Sequence, residues 1–184
     1  MDAFRFEPAT HTSEAVARKL LRDNPVSGRI EVSLEREPNA LYAAAVGGDE
    51  YQVILAWSGK RNEPVGVGTR CELDAWVNGE SCRLGYLSEL RSTGGFRFRR
   101  SLLVQAYQAL RRHHEKGGAD IYLTTIIEDN VAARRLLEAG IADMPIYRPL
   151  ENLVTLVIPV RAGARISSDG LEADDATEND LHEL

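Results

Sequence analysis

Residues 90–103 read Leu-Arg-Ser-Thr-Gly-Gly-Phe-Arg-Phe-Arg-Arg-Ser-Leu-Leu and set Arg91, Arg97, Arg99 and Arg100 around a glycine pair just ahead of a predicted helix. A guanidinium presents forked donors that match phosphate oxygens, and the first N–H groups of a helix favour the same anions. The chemistry available here is the holding of a phosphate-bearing ligand. A solvated basic turn, or a site for another polyanion such as a nucleotide or nucleic acid, stays open beside it. Phe96 and Phe98, interleaved with the arginines, read as core or as packing beside the ligand in preference to a base-stacking platform. A second constellation is Asp129-Asn130, where an apolar run meets a short helical pattern that stops at Gly140. Either side chain can cap the exposed N–H groups, and glycine can take the left-handed exit. The sequence offers no Ser-His-Asp or Cys-His arrangement and no Cys/His set at zinc spacing, so neither a covalent nucleophile nor a metal is expected. His113-His114 close a helix and read as solvated.

These groups need elements to position them. Asn78-Gly79 between alternating segments predicts a two-residue hairpin turn within residues 65–90. The register then sets Val67 opposite Leu90, Thr69 opposite Ser88, Cys71 opposite Tyr86, Leu73 opposite Leu84 and Ala75 opposite Cys82 on one face. Asp74 meets Arg83 on the other, an opposite-charge pair, and a one-residue slip would mix the faces. Cys71 and Cys82 fall about four residues out of register, ~13 Å along the strand, beyond disulfide reach. They read as buried free thiols. Around the hairpin the pattern predicts a strand at 4–7, a helix over 13–22 capped by Ser13, a helical piece at 39–46 and a strand at 51–57. A helix over 101–116 carries Leu102, Leu103, Ala106, Tyr107 and Leu110 on one stripe, and its basic last turns suit the helix dipole. A strand over 121–127, a helix over 131–139 and extended segments at 146–147 and 153–160 follow. The order β-α-α-β-β-β-α-β-α-β-β predicts an α+β fold, a mixed sheet of about six to seven strands with helices on both faces.

A chain of 184 residues suits a domain that buries a core without disulfides. No apolar run approaches the ~20 residues of a membrane helix and no signal peptide is visible, so a cytoplasmic protein with no membrane partner is expected. The net charge of −6 concentrates beyond Arg161. The body before it is nearly neutral, which argues against a dedicated nucleic-acid binder. Residues 1–162 are expected to form the domain and 163–184 an acidic tail. That tail reads either as disordered or as the start of a second domain, because Ala176-Thr177 sits in a setting like that of Ala9-Thr10.

The junction at Asn130, the basic turn and this order of elements together resemble the GNAT superfamily of CoA-dependent N-acyltransferases, over about residues 3–160. The resemblance implies acetyl-CoA or another acyl-CoA as cosubstrate and an amine of unknown identity as acceptor, without a metal, and it allows a homodimer. In that family the fourth strand leads into a glycine-rich turn whose backbone N–H groups cradle the CoA pyrophosphate. Phe96-Arg97 resembles the aromatic-Arg pair that opens the turn, which puts Phe98, Arg100 and Leu102 where the family has glycines. Aligned on the leucine pair instead, Gly95 is one of the glycines and Arg97 and Arg99 replace two others. The implied cofactor-binding residues are Leu90, Arg91, Arg97, Phe98, Arg99, Arg100, Ser101 and Asn130, with arginine side chains taking over part of the backbone's role. Family position makes Glu89 the general base, facing Gly68 on the face opposite the Cys71/Tyr86 row. Glu72 and Glu128 are its rivals, and a surface salt bridge is the plain alternative. Leu137 stands where many members carry the tyrosine that protonates the departing thiolate, so Tyr147 is the named substitute, with a core tyrosine as the alternative. The function implied is N-acyl transfer. Its alternative is a GNAT-like domain that has lost CoA and serves as a binding or structural module in a tandem protein, the tail beginning a second, truncated domain.

Overall fold

The computed structural model describes residues 3–26, 28–29, 31–96 and 99–155. Strand β1 (Phe4–Pro8) pairs antiparallel with β2 (Glu50–Ser58), and β2 with β3 (Glu63–Val77). Asn78 and Gly79, with φ of 54° and 82°, turn β3 back into β4 (Glu80–Ser92), and β5 (Ile121–Leu123) joins β4 in parallel. Two positive φ values in a two-residue loop give the mirror-image turn whose twist matches paired strands. The result is a five-stranded mixed sheet in the order β1-β2-β3-β4-β5.

Helices cover both faces. In α1 (Glu14–Asp23) and α2 (Ala40–Ala45), Ala17, Leu20, Leu21, Leu41 and Ala44 pack on Val53, Leu55 and Val67. Asn39 caps α2 by accepting from the N–H groups of Leu41 and Tyr42, and buried Glu14 accepts from the N–H of Ala40 at 3.0 Å. On the other face, α3 (Arg100–His114) sets Leu102 against Ala56, Val65 and Phe96, with Phe4 and Phe6 beside them. Asn130 caps α4 (Val131–Glu138) by accepting from the N–H of Ala133 at 3.2 Å, and Gly140 beyond it has φ 61°. The α+β class and mixed sheet are as the sequence predicts.

The hairpin register holds at Thr69/Ser88, Cys71/Tyr86, Leu73/Leu84, Asp74/Arg83 and Ala75/Cys82, but Val67 pairs with Arg91, not Leu90. Glu89 and Leu90 therefore share the place opposite Gly68. This is a β-bulge, and its residue Glu89 has φ 58°. The sheet of the described residues has five strands rather than six to seven. Ile146-Tyr147 is irregular, bracketed by Pro145 and Pro149, which cannot donate to a ladder. The chain divides after Arg148 into two compact units; in the second, residues 149–155 are exposed and irregular. The rest of the expected 153–160 strand and the 163–184 tail lie outside the described residues, as do Arg97 and Phe98. Strand β5 ends at Leu123, four residues short of the expected Ile127. There Thr124 Oγ1 donates to the Leu87 carbonyl at 2.7 Å and the Tyr86 hydroxyl meets Thr125 Oγ1 at 2.5 Å. Side chains take the place of ladder bonds where the strands part.

Candidate functional site

Strands β4 and β5 pair only at Leu84/Ile121, Gly85/Tyr122 and Tyr86/Leu123. Gly85 is needed in that contact, because a Cβ on it would stand 2.4 Å from the Tyr122 ring. Among the described residues, β4 continues beyond Tyr86 to Ser92 along β3 alone, while residues 124–127 leave the sheet. A cleft of about 640 Å³ opens between them, walled by 87–92 on one side and by 124–127, Asn130, Ala133, Leu136 and Leu137 on the other. Its lining includes Leu34, Arg36 and Thr69 as well as Phe96, Leu102 and Tyr107. Leu34 belongs with the α1–α2 core and Phe96 with the α3 core, so the cleft reaches both faces of the sheet where the strands separate.

Five of the residues marked in the sequence meet in this cleft: Glu89, Leu90, Arg91, Arg99 and Asn130. Gly94 and Phe96 also line it, and no described residue lies within 4 Å of where a Cβ would stand on Gly94 or Gly95. A ligand can therefore approach the main chain closely there. The Arg99 guanidinium lies over the Phe96 ring, 4.9 Å from its centroid, and Arg91 donates to the Leu90 carbonyl at 2.9 Å. Arg100 is exposed and Ser101 half-buried in the first turn of α3; neither lines the cleft. Asn130 takes the capping role because Asp129 accepts instead from the Arg29 backbone and guanidinium at 3.2 and 3.1 Å. Those bonds hold the Asp129 carboxyl below its usual range.

Glu89 has a side chain only 8% exposed. Its Oε2 accepts from Thr69 Oγ1 at 2.6 Å, and its Oε1 pairs with Arg36 Nε. It therefore shares a face with Thr69 and not, as expected, the opposite one; the bulge has turned it over. Glu72, the rival base, is 2% exposed, with its Oε1 fully engaged and its Oε2 3.9 Å from Arg83 Nε. It pairs with Arg70 and accepts from the Tyr122 hydroxyl at 2.8 Å and the Ala119 N–H at 3.0 Å. That arrangement ties β3 to β5 and leaves no role for Glu72 in the cleft. Glu128 is exposed and does not line the cleft. Tyr147 is also outside the lining and reaches it through Tyr107: their hydroxyls hydrogen-bond and their rings stack edge to face, centroids 6.1 Å apart. Burial pushes both phenols above their usual range, so both stay protonated at neutral pH. Leu137 is buried on the cleft wall.

The sequence reading missed Arg36 and Thr69, and placed Tyr107 only on an apolar stripe. A signal for Arg36 exists: in 31–36, Val32, Leu34 and Arg36 are half-buried and alternate with exposed Glu31, Ser33 and Glu35. Alternation with an arginine on the apolar side marks an extended segment that carries a charge inward. Among the described residues no group of three or more His, Cys, Asp or Glu is placed to hold a metal, and no helix is long and apolar enough to cross a membrane.

No family model and no curated protein sequence matches the chain. Solved structures do match. An aminoglycoside 6'-N-acetyltransferase from Acinetobacter haemolyticus aligns with TM-score 0.58 at 16% identity, over 85% of this chain and 99% of its own. An aminoglycoside N-acetyltransferase in complex with CoA aligns with TM-score 0.59 at 14% identity, over 85% and 95%. Glucosamine-6-phosphate N-acetyltransferase from Arabidopsis thaliana aligns with TM-score 0.52 at 11% identity, over 81% and 98%. The chain has the GNAT acetyltransferase fold.

Proposed function

We propose that this chain is an N-acyltransferase that takes acetyl-CoA or another acyl-CoA and transfers the acyl group to an amine. The observation that carries the reading is the parting of β4 from β5 after Tyr86, which opens a cleft from one face of the sheet to the other. The residues present fit such a substrate. Among the described residues the β5 side of 88–92 has no strand partner, so it offers main-chain donors and acceptors to an amide-bearing arm. At the end near α3, Gly94 and Gly95 leave room against the backbone, and Arg91 and Arg99 supply positive charge. Arg97, Arg100 and Ser101 are assigned with them to the diphosphate, and Leu90 and Phe98 to apolar packing. Asn130 stands beside the arm while it caps α4.

The acceptor nitrogen forms its bond to the acyl carbon as the thioester C–S bond breaks, and the nitrogen's proton passes to Glu89. The departing sulfur takes a proton from the hydroxyl pair of Tyr107 and Tyr147. The test is a titration with acetyl-CoA followed by thermal melting and calorimetry. At ~100 times Kd a native-state ligand adds about 2.7 kcal/mol, roughly 5–10 °C for a chain of this size. An unchanged melting temperature at millimolar acetyl-CoA sinks the reading.

One set of observations favours a second reading, a non-catalytic module: Arg36 and Thr69 occupy the Glu89 carboxylate, and the family's acid position holds Leu137. Such a module would transfer no acyl group to any member of a broad amine panel. Turnover with one amine decides for the enzyme.

A further inference from the structure

The wall of the cleft on the α1–α2 side carries one buried carboxylate and one guanidinium in contact with each other, Glu89 and Arg36, flanked by Thr69 and by apolar Val26, Val32 and Leu34. We propose that this wall receives the zwitterion of an α-amino acid with an apolar side chain, Arg36 taking its carboxylate and Glu89, with Thr69, its ammonium group.

Glu89 is 8% exposed and Arg36 36%, so the carboxylate depends on its partner while the guanidinium can swing outward. A carboxylate this buried needs a cation at all times. A ligand that displaces Arg36 must therefore bring positive charge to Glu89 and negative charge to Arg36. Contact between the two side chains means that the ligand's charges must also be close together, as they are when both groups sit on one carbon. A longer amino acid would hold them too far apart, and an acceptor bearing several ammonium groups would meet repulsion from Arg36. Val26, Val32 and Leu34 give an aliphatic side chain a surface to cover. The Thr69 hydroxyl, already 2.6 Å from Glu89 Oε2, can turn to accept from the ammonium group.

The fate of that amine rests on the acyl-transfer reading: the ammonium group would first lose one proton through Glu89 to solvent. The neutral nitrogen would then form the amide bond as the thioester C–S bond breaks, its second proton passing to Glu89 while the departing sulfur takes one from the Tyr107–Tyr147 hydroxyls. Recognition of the zwitterion does not rest on that reading, and binding tests it separately. The full chain is titrated calorimetrically with L-leucine, with L-leucinamide, which lacks the carboxylate, and with 4-methylpentanoate, which lacks the amine, each with and without saturating CoA. Leucine is expected to bind at least ~30-fold more tightly than either analogue, since a site built for a polar group rejects ligands lacking it. Arg36→Gln should abolish the gap between leucine and leucinamide and leave acetyl-CoA affinity unchanged. Equal affinities in the unmodified protein, or no leucine binding up to about 10 mM in either condition, would overturn the proposal. Leucine binding without acetyl-CoA binding would instead sink the acyl-transfer reading and leave this one standing.

Discussion

Glu72 and Glu89 lie on adjacent strands, both nearly closed to solvent, and differ in how they are paired. Glu72 is held by Arg70, a tyrosine hydroxyl and a backbone N–H, with no surface left toward the cleft. Removing one member of a buried ion pair leaves the other charge uncompensated, at a cost of about 3–5 kcal/mol. Glu72→Ala should therefore lower the urea midpoint sharply; a midpoint near that of the unmodified protein would contradict the structural role. Glu89 faces the cleft through a partner that is partly exposed. Glu89→Gln keeps the shape and the Thr69 contact and loses the base. The expected outcome is a kcat lower by roughly 10²–10⁴ with unchanged acetyl-CoA affinity; full turnover would remove Glu89 from the chemistry. For the acid, Tyr107→Phe should slow turnover more than Tyr147→Phe, because only Tyr107 lines the cleft. Equal effects would return the role to Tyr147.

At the scale of elements, the hairpin was legible because Asn78-Gly79 is one of the few dipeptides that accept two positive φ values. The bulge was not. Glu89 at φ 58° is a residue type with no preference for that conformation, so nothing in its identity announces the extra residue. The same blind spot hid the end of β5: Thr124, Thr125, Ile126 and Ile127 have strand composition, yet at 124–125 side-chain bonds to Leu87 and Tyr86 stand where ladder bonds would continue. Two element-level outcomes follow from these contacts. Gly85→Ala would drive a methyl into the Tyr122 ring, and overpacking of this kind costs about 1–3 kcal/mol. Its effect should appear as a lower melting temperature and weaker acetyl-CoA binding. Glu14 joins α1 to α2 through the Ala40 N–H and pairs with Arg18 within α1. Its hydrogen bond to Arg18, more than the other contacts, holds its carboxyl below the ordinary 4.5. A depressed folded-state pKa gives stability that is present above 4.5 and lost as pH falls below it toward the folded value. Between pH 7 and pH 3 the urea midpoint should fall less in Glu14→Gln than in the unmodified protein.

Taken as a whole, the molecule packs one wall of its cleft far more heavily than the other. Strands β2, β3 and β4 run long beside one another, with α1 and α2 packed on them, whereas β5 pairs over three residues and α4 buries only Leu137. Regions with few buried apolar groups open locally at lower free energy than the core. The β5–α4 unit is also the far wall of the cleft, so a ligand lying between it and β4 would add the contacts that the fold itself withholds. Native-state hydrogen exchange should then show the amides of 121–138 exchanging orders of magnitude faster than those of 51–57 and 65–77. Saturating acetyl-CoA should slow the first group selectively. If the two groups exchange alike in the free protein, the wall is as firm as the core and the cleft is a fixed slot. If CoA slows the core instead, it binds somewhere other than the parting of β4 and β5.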